Sequence, residues 1–197
     1  PALAFAALVG LAACEAARRW GTAAGIASAW TLIASPRVFA HAHLGALDTF
    51  LSFFWTLALL AAARAPDARR PGLAMLRAGV LWGLALLTKI HAWFLAPLII
   101  AWTFMRLTWP KALRASAAWS LAGLATFVVG WPWLWYDLFG RWWGYWNTGV
   151  DRASIRVEYF GRIWADRDVP WHYPWFYFAV TVPIFLHTLG AAGVVRG

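Results

Sequence analysis

Cysteine, charge and nucleotide-binding signatures are what this sequence mostly lacks. Cys14 is the sole cysteine among 197 residues, which excludes an intrachain disulfide and any paired-thiol redox motif. Charged residues make up 13% of the chain, about half of the ~25% usual in soluble domains. A large soluble core is therefore disfavoured, because it needs more polar surface around it. No Walker-type loop, GxGxxG, GxSxG or cysteine cluster occurs, so nothing in the chain points to nucleotide binding. An initiator Met, a basic n-region and a cleavage site are also missing, and Pro1 stands in the middle of an apolar run. The expectation is an internal piece of a longer protein, with residues 1–197 forming one partial membrane domain.

What the chain does have is hydrophobicity. It is 62% hydrophobic and carries 17 Trp, nine of them between Trp131 and Trp175. Long apolar runs with few charges indicate membrane helices, and Trp concentrates where its ring can be half wet, at the membrane boundary. Residues 1–17 form most of one helix, closed by the basic turn Arg18-Arg19-Trp20-Gly21. Residues 22–34 are a shorter Ala- and Gly-rich run suited to close packing. Residues 64–72 read as a polar loop, with two prolines and a glycine. The run 75–87 is too short to span alone, given that about 20 residues are needed. It meets Thr88-Lys89-Ile90-His91, and apolar residues resume at 92–105. Two short helices at a polar elbow fit this better than one long helix. Residues 106–114 are another basic loop, 115–131 span again, 132–173 form a long polar and aromatic loop, and 174–195 are a last apolar run. The expected fold is all-α, a polytopic transmembrane bundle of about six spanning or paired segments. No internal repeat is visible.

The unusual polar residues lie between these runs. The stretch from Ser35 to Asp48 places Arg37, His41, His43 and Asp48 at a depth where ionisable groups are costly, so they are functional candidates. Ser35 suits an N-cap and Pro36 the first helical position. A single helix from here to Ala63 brings Arg37, His41 and Asp48 within roughly 40° of one another, with His43 on a different side. A cation near a helix N-terminus favours an anion such as phosphate. Snorkelling to the interface is the plainer role for Arg37. Asp48 is a candidate base, metal ligand or partner of Arg37. His41 and His43 are two apart, a poor spacing for metal on a helix, so hydrogen bonding is their expected work and a divalent metal only a possibility. Lys89, beside His91 at the elbow, can neutralise phosphate as a point charge. Arg141, Arg152, Arg156 and Arg162 read as surface residues.

Charge bookkeeping orients these pieces. With alternating spans, loops 18–21, 64–77 and 106–114 share one side. They hold nine Lys and Arg residues against Asp67 alone. Loops 35–48, 88–91 and 132–173 share the other, with seven basic residues against six acidic ones, Asp151 and Arg152 among them. Excess Lys and Arg mark the cytoplasmic side, so the Ser35–Asp48 stretch, the elbow and the aromatic loop are expected to face outward. The same asymmetry accounts for much of the net charge of +9 and speaks against a nucleic-acid partner.

Ser35-Pro36-Arg37, His41-Ala42-His43 and Asp48 are followed in order by Gly83 to Lys89, Trp131-Pro132-Trp133-Leu134-Trp135, Tyr159-Phe160-Gly161-Arg162 and Pro170-Trp171-His172-Tyr173-Pro174. This series resembles the lipid-dependent glycosyltransferases of the GT-C type, bacterial family 39 and its relatives, akin to protein O-mannosyltransferases and the aminoarabinose transferase of lipid A. The resemblance implies a partial GT-C domain that transfers a sugar from a polyprenyl-phosphate donor to a protein, lipid or glycan acceptor at the outer face of the cytoplasmic membrane. It also implies an acidic residue, often in an Asp-Glu pair, in a first outer loop that precedes Pro1, so the catalytic base is expected outside these residues. On this view Arg37 and Lys89 hold the leaving phosphate, His41, His43, His91 and Asp48 orient groups, and Trp171, His172 and Tyr173 help close the site. A transporter or flippase, or a non-catalytic subunit that binds lipid phosphate, are the alternatives. Gathering of the polar groups at one face, rather than at the bilayer midplane, favours the enzyme.

Overall fold

The tightest packing in the molecule joins two long apolar helices, α5 (Pro71–Thr88) and α7 (Trp109–Gly130). Small residues permit it. A Cβ on Gly79 would run into the backbone carbonyl of Trp119, one on Gly83 would stand 2.5 Å from Thr126 Cβ, and one on Gly123 would strike the Trp82 ring. Gly79 and Gly83 form a small-xxx-small face of the sort that lets membrane helices approach closely. Trp82 and Trp119 then stack across the contact with centroids 4.1 Å apart, both buried.

This computed structural model describes residues 1–44, 46–150 and 153–196; Gly45, Asp151 and Arg152 of the stretches discussed above lie outside the described residues. The remaining elements are α1 (Ala2–Trp20), α2 (Thr22–Ile33), α3 (Pro36–His43), α4 (Asp48–Arg64), α6 (Leu95–Arg106), α8 (Leu138–Val150), α9 (Tyr173–Thr181) and α10 (Ile184–Arg196). A two-stranded antiparallel hairpin, β1 (Arg156–Tyr159) and β2 (Arg162–Ala165), pairs Tyr159 with Arg162 across its turn. The fold is an all-α polytopic bundle with this one small hairpin. Three of its helices are long and apolar enough to cross a membrane: Asp48–Asp67, α5 and α7. The bent pair α9 and α10, kinked by 103°, makes up to four. Among the described residues that is fewer than the six segments expected, because α2 and the run Ile90–Arg106 are too short to count and α1, though 19 residues long, carries three charges, Glu15, Arg18 and Arg19.

Several boundaries differ from expectation for identifiable reasons. The helix expected from Pro36 to Ala63 is broken. Leu44 is extended (φ −86°, ψ 154°) and ends α3, and α4 starts afresh at Asp48. A carboxylate in the first turn of a helix meets the positive end of its dipole, so Asp48 marks a start and not a mid-helix residue. Ser35 sits at the N-cap and Pro36 at the first position, though the Ser35 side chain makes no capping bond. Pro71 and Gly72, taken above as loop, open α5, which is therefore 18 residues long and able to span. Proline is suited to that first position because its missing N–H has no partner there anyway. The elbow is as expected: α5 stops at Thr88, Lys89 is extended (φ −162°, ψ 143°), and a short 3-10 turn over Ile90–Phe94 leads into α6. The long 132–173 segment is largely structured, with a 3-10 turn at Pro132–Tyr136, α8 and the hairpin. Phe160 (φ 50°) and Gly161 (φ 71°) supply the two left-handed residues that a tight hairpin turn requires.

The ends of the bundle are chemically distinct. At one, Glu15 accepts from both Arg19 and Arg64, tying α1 to α4, and Asp67 pairs with Arg106 at 2.8 Å, tying the α4–α5 turn to α6. Glu15 lies inside an otherwise apolar run and adds a second carboxylate to the Asp67 counted above. Asp48 stands at the other end of α4, about 25 Å away by helical rise.

Candidate active site

At that other end, the breaks between helices bring four ionisable residues around one cavity of about 390 Å³: Arg37 and His41 from α3, Asp48 from the start of α4, and Lys89 from the elbow after α5. Thr49 Oγ1 donates to the carbonyl of His41 at 3.2 Å and so fixes the end of α3 against the start of α4. Ser52, Thr49, Phe5, Leu8 and Val38 complete the walls. A volume of this size is typical of small-ligand sites, in which apolar walls carry a few converging polar groups.

Asp48 organises the charge. Lys89 Nζ donates to Asp48 Oδ1 at 2.6 Å, and His41 Nδ1 lies 3.7 Å from Asp48 Oδ2. The Asp48 partner is thus Lys89, not Arg37 as the one-helix arrangement suggested, because the break at Leu44 turns α4 away from the line of α3. His41 Nδ1 is shielded from solvent and has no hydrogen-bond partner. The Arg37 guanidinium packs over the Tyr177 ring at 5.1 Å, joining α3 to α9. Arg37, a pre-formed fork of donors, is therefore held by a ring face and not by a carboxylate.

The other candidates take different places. The His43 ring packs tilted against Phe39 with centroids 4.4 Å apart, its Nδ1 2.8 Å from that residue's carbonyl, outside the cavity lining. His91 is exposed beside Phe94. Trp171 is 82% exposed. His172 and Tyr173 pack around Tyr159 of the hairpin, and Tyr173 lies 5.5 Å from Tyr177. The Trp171–Tyr173 stretch thus lies outside the cavity lining and is linked to Arg37 through the contact of Tyr173 with Tyr177. Among the described residues no group of three His, Cys, Asp or Glu stands close enough to hold a metal ion.

Sequence reasoning missed Tyr177, which is hidden in the run Trp175–Phe178. The available signal was its spacing of four from Tyr173, which puts both rings on one helix face. It also missed a second cavity, of about 380 Å³, on the far side of the elbow. Lys89 lines both, and Phe127, Trp131 and Tyr145 close the second. Trp93 Nε1 donates to Tyr145 Oη at 3.2 Å. Burial pushes the Tyr145 phenol above its ordinary value, against an opposing pull from that bond, so it stays neutral and able to donate.

Helices of membrane-spanning length, with Arg37, His41, Asp48 and Lys89 gathered on one cavity where helix ends break, define a multi-pass membrane protein. The chain belongs to the dolichyl-phosphate-mannose-protein mannosyltransferase family, whose model matches residues 1–136 and so covers Arg37, His41, Asp48 and Lys89. That family is one of membrane glycosyltransferases, in agreement with the resemblance drawn from the sequence. The comparisons with curated proteins and with solved structures return no match.

Proposed function

We propose that the cavity is the donor site of a glycosyltransferase that takes a sugar from a polyprenyl phosphate and passes it to an acceptor hydroxyl. The observation that carries this is the convergence of Arg37 and Lys89, from elements more than fifty residues apart, on one cavity. In the transfer, the bond from the acceptor oxygen to the anomeric carbon forms as the bond from that carbon to the phosphate oxygen breaks. The electron pair leaves with the lipid phosphate. Arg37 and Lys89 stabilise the charge that grows there, in a site already shaped for it. Asp48 holds Lys89 in place before the donor arrives. Among the described residues it is also the one carboxylate lining the cavity, and a carboxylate takes the proton of the acceptor hydroxyl. His41, with an unused ring nitrogen, orients the sugar. The excess of Lys and Arg at the opposite end of the bundle supports a cytoplasmic membrane protein whose site faces outward. The acceptor is a protein, lipid or glycan hydroxyl.

The test is transfer from a radiolabelled polyprenyl-phosphate sugar by the full-length protein in membranes. Arg37→Ala and Lys89→Met are each expected to lower turnover by about 100-fold or more, in line with loss of one charge-stabilising group, with membrane insertion unchanged. Full activity in both variants overturns the proposal.

A further inference from the structure

At the end of the bundle away from the cavity, basic residues greatly outnumber their partners. Nine Lys and Arg side chains gather there, and the two carboxylates present, Glu15 and Asp67, are already taken by Arg19, Arg64 and Arg106. Arg18, Arg69, Arg70, Arg77, Lys111 and Arg114 have no carboxylate partner among the described residues. Two of them are not simply spread over a surface. Lys111 and Arg114, three apart on α7 and so on one face, line a notch of about 340 Å³ between α7 and the first turn of α5. The rest of the notch is Pro71, Gly72, Leu107 and Ala115, so two cations stand over an apolar floor.

Its depth is fixed by the helices that form it. Both α5 and α7 are of membrane-spanning length, and the notch lies at their starts. Lys89 follows the other end of α5, about 27 Å away by helical rise, close to the ~30 Å thickness of a bilayer's hydrocarbon core. Trp109, 72% exposed and packed on Phe104 at 4.8 Å, and Trp102, under the Arg106 guanidinium at 5.2 Å, lie at the same end. Exposed Trp beside basic residues is the signature of the headgroup layer.

We propose that this notch binds the headgroup of an anionic phospholipid, with the phosphate on Lys111 and Arg114 and the glycerol and first methylenes on Leu107, Ala115 and Pro71. A free phosphate uses the cations but not the floor, and a zwitterionic lipid uses the floor but brings its own cation. Only an anionic lipid satisfies both. The site is independent of the donor cavity and of the reaction assigned to it.

The test uses full-length protein in nanodiscs of phosphatidylcholine with a third of phosphatidylglycerol, with retained lipid counted by native mass spectrometry. The intact protein is expected to retain phosphatidylglycerol over phosphatidylcholine, and millimolar inorganic phosphate not to displace it. Lys111→Gln with Arg114→Gln removes two charges. At about 1 kcal/mol per basic residue near the surface, retention falls roughly 30-fold. Gly72→Leu is the second variant. A Cβ there meets nothing within 4 Å, and Gly72 lines the notch, so the variant adds bulk at the notch without disturbing α5, and retention is expected to fall although the charge is unchanged. Equal retention of phosphatidylglycerol by the intact protein and both variants, equal retention of phosphatidylcholine, or one-for-one displacement by inorganic phosphate each overturns the proposal.

Discussion

The elbow that carries Lys89 is anchored from within the core by one indole, and replacing that indole tests how the site is held. Trp82 is 2% exposed, and its Nε1 donates to the carbonyl of Ala92 at 2.8 Å. Trp82→Phe keeps a ring against Trp119 but removes the donor and the second ring. The Ala92 carbonyl also accepts from Leu95 N, so it is not left wholly unpaired. The hydrogen-bond term is then near the low end of the usual range, about 1 kcal/mol. The lost ring volume adds about another 1 kcal/mol. Trp119→Phe is the matched control. It removes similar bulk from the same stack, but Trp119 Nε1 is buried with no partner, so losing it relieves a desolvation penalty of about 1–3 kcal/mol that offsets the cavity. Trp82→Phe is expected to destabilise by about 2 kcal/mol and Trp119→Phe by less than about 1 kcal/mol. Denaturation of detergent-solubilised protein gives the two values. Hydrogen exchange localises the first, with protection over Ile90–Leu95 reduced up to roughly 30-fold and transfer activity reduced with it. Equal destabilisation by both substitutions, or unchanged protection at the elbow, refutes the idea that Trp82 holds it.

Two further outcomes follow from backbone geometry. Gly79→Leu must drive a side chain into the carbonyl of Trp119. With backbone on one side and a full core on the other, the α5–α7 pair separates, and the variant is expected to lose its monodisperse peak in size-exclusion chromatography. Gly161→Val places a β-branched residue at φ 71° and is expected to cost about 1–2 kcal/mol locally. Circular dichroism of the helices stays unchanged, while limited proteolysis cuts the 156–165 hairpin faster; an uncut hairpin counts against the strained turn.

The class of fold was legible because its signals are compositional. Long apolar runs, scarce charge and abundant Trp have one common cause, and no tertiary detail is needed to read them. The elbow was legible for a local reason, since Thr88, Lys89 and His91 interrupt a run that is otherwise apolar from Ala78 to Trp102. Helix ends were harder to read. Pro71 and Gly72 look the same whether they break a chain or begin a helix, and only the packing of α5 on α7 decides it. Tyr177 was hidden because aromatic residues crowd the stretch 171–178, so no contrast marks the one that turns toward Arg37. Glu15 was hidden by its setting: one carboxylate within an apolar run carries no sign of an Arg64 forty-nine residues away.

The break at Leu44 shows why the candidate residues came together although the geometry first drawn for them was different. A continuous helix places Arg37, His41 and Asp48 on a common face by periodicity alone. In the protein, α3 ends and α4 begins between His41 and Asp48, so periodicity across the two carries no information. What survives is the physical constraint beneath it. Charged and imidazole groups are costly within lipid, so they collect where helices start and stop. Each such place also exposes unpaired backbone groups that need polar company. Arg37 near the start of α3, Asp48 at the start of α4 and Lys89 just past the end of α5 all obey this rule. Three helix ends at one level of the bundle, with Tyr177 of a fourth helix packed on Arg37, are sufficient to build a charged cavity with no charged residue placed in the middle of a span.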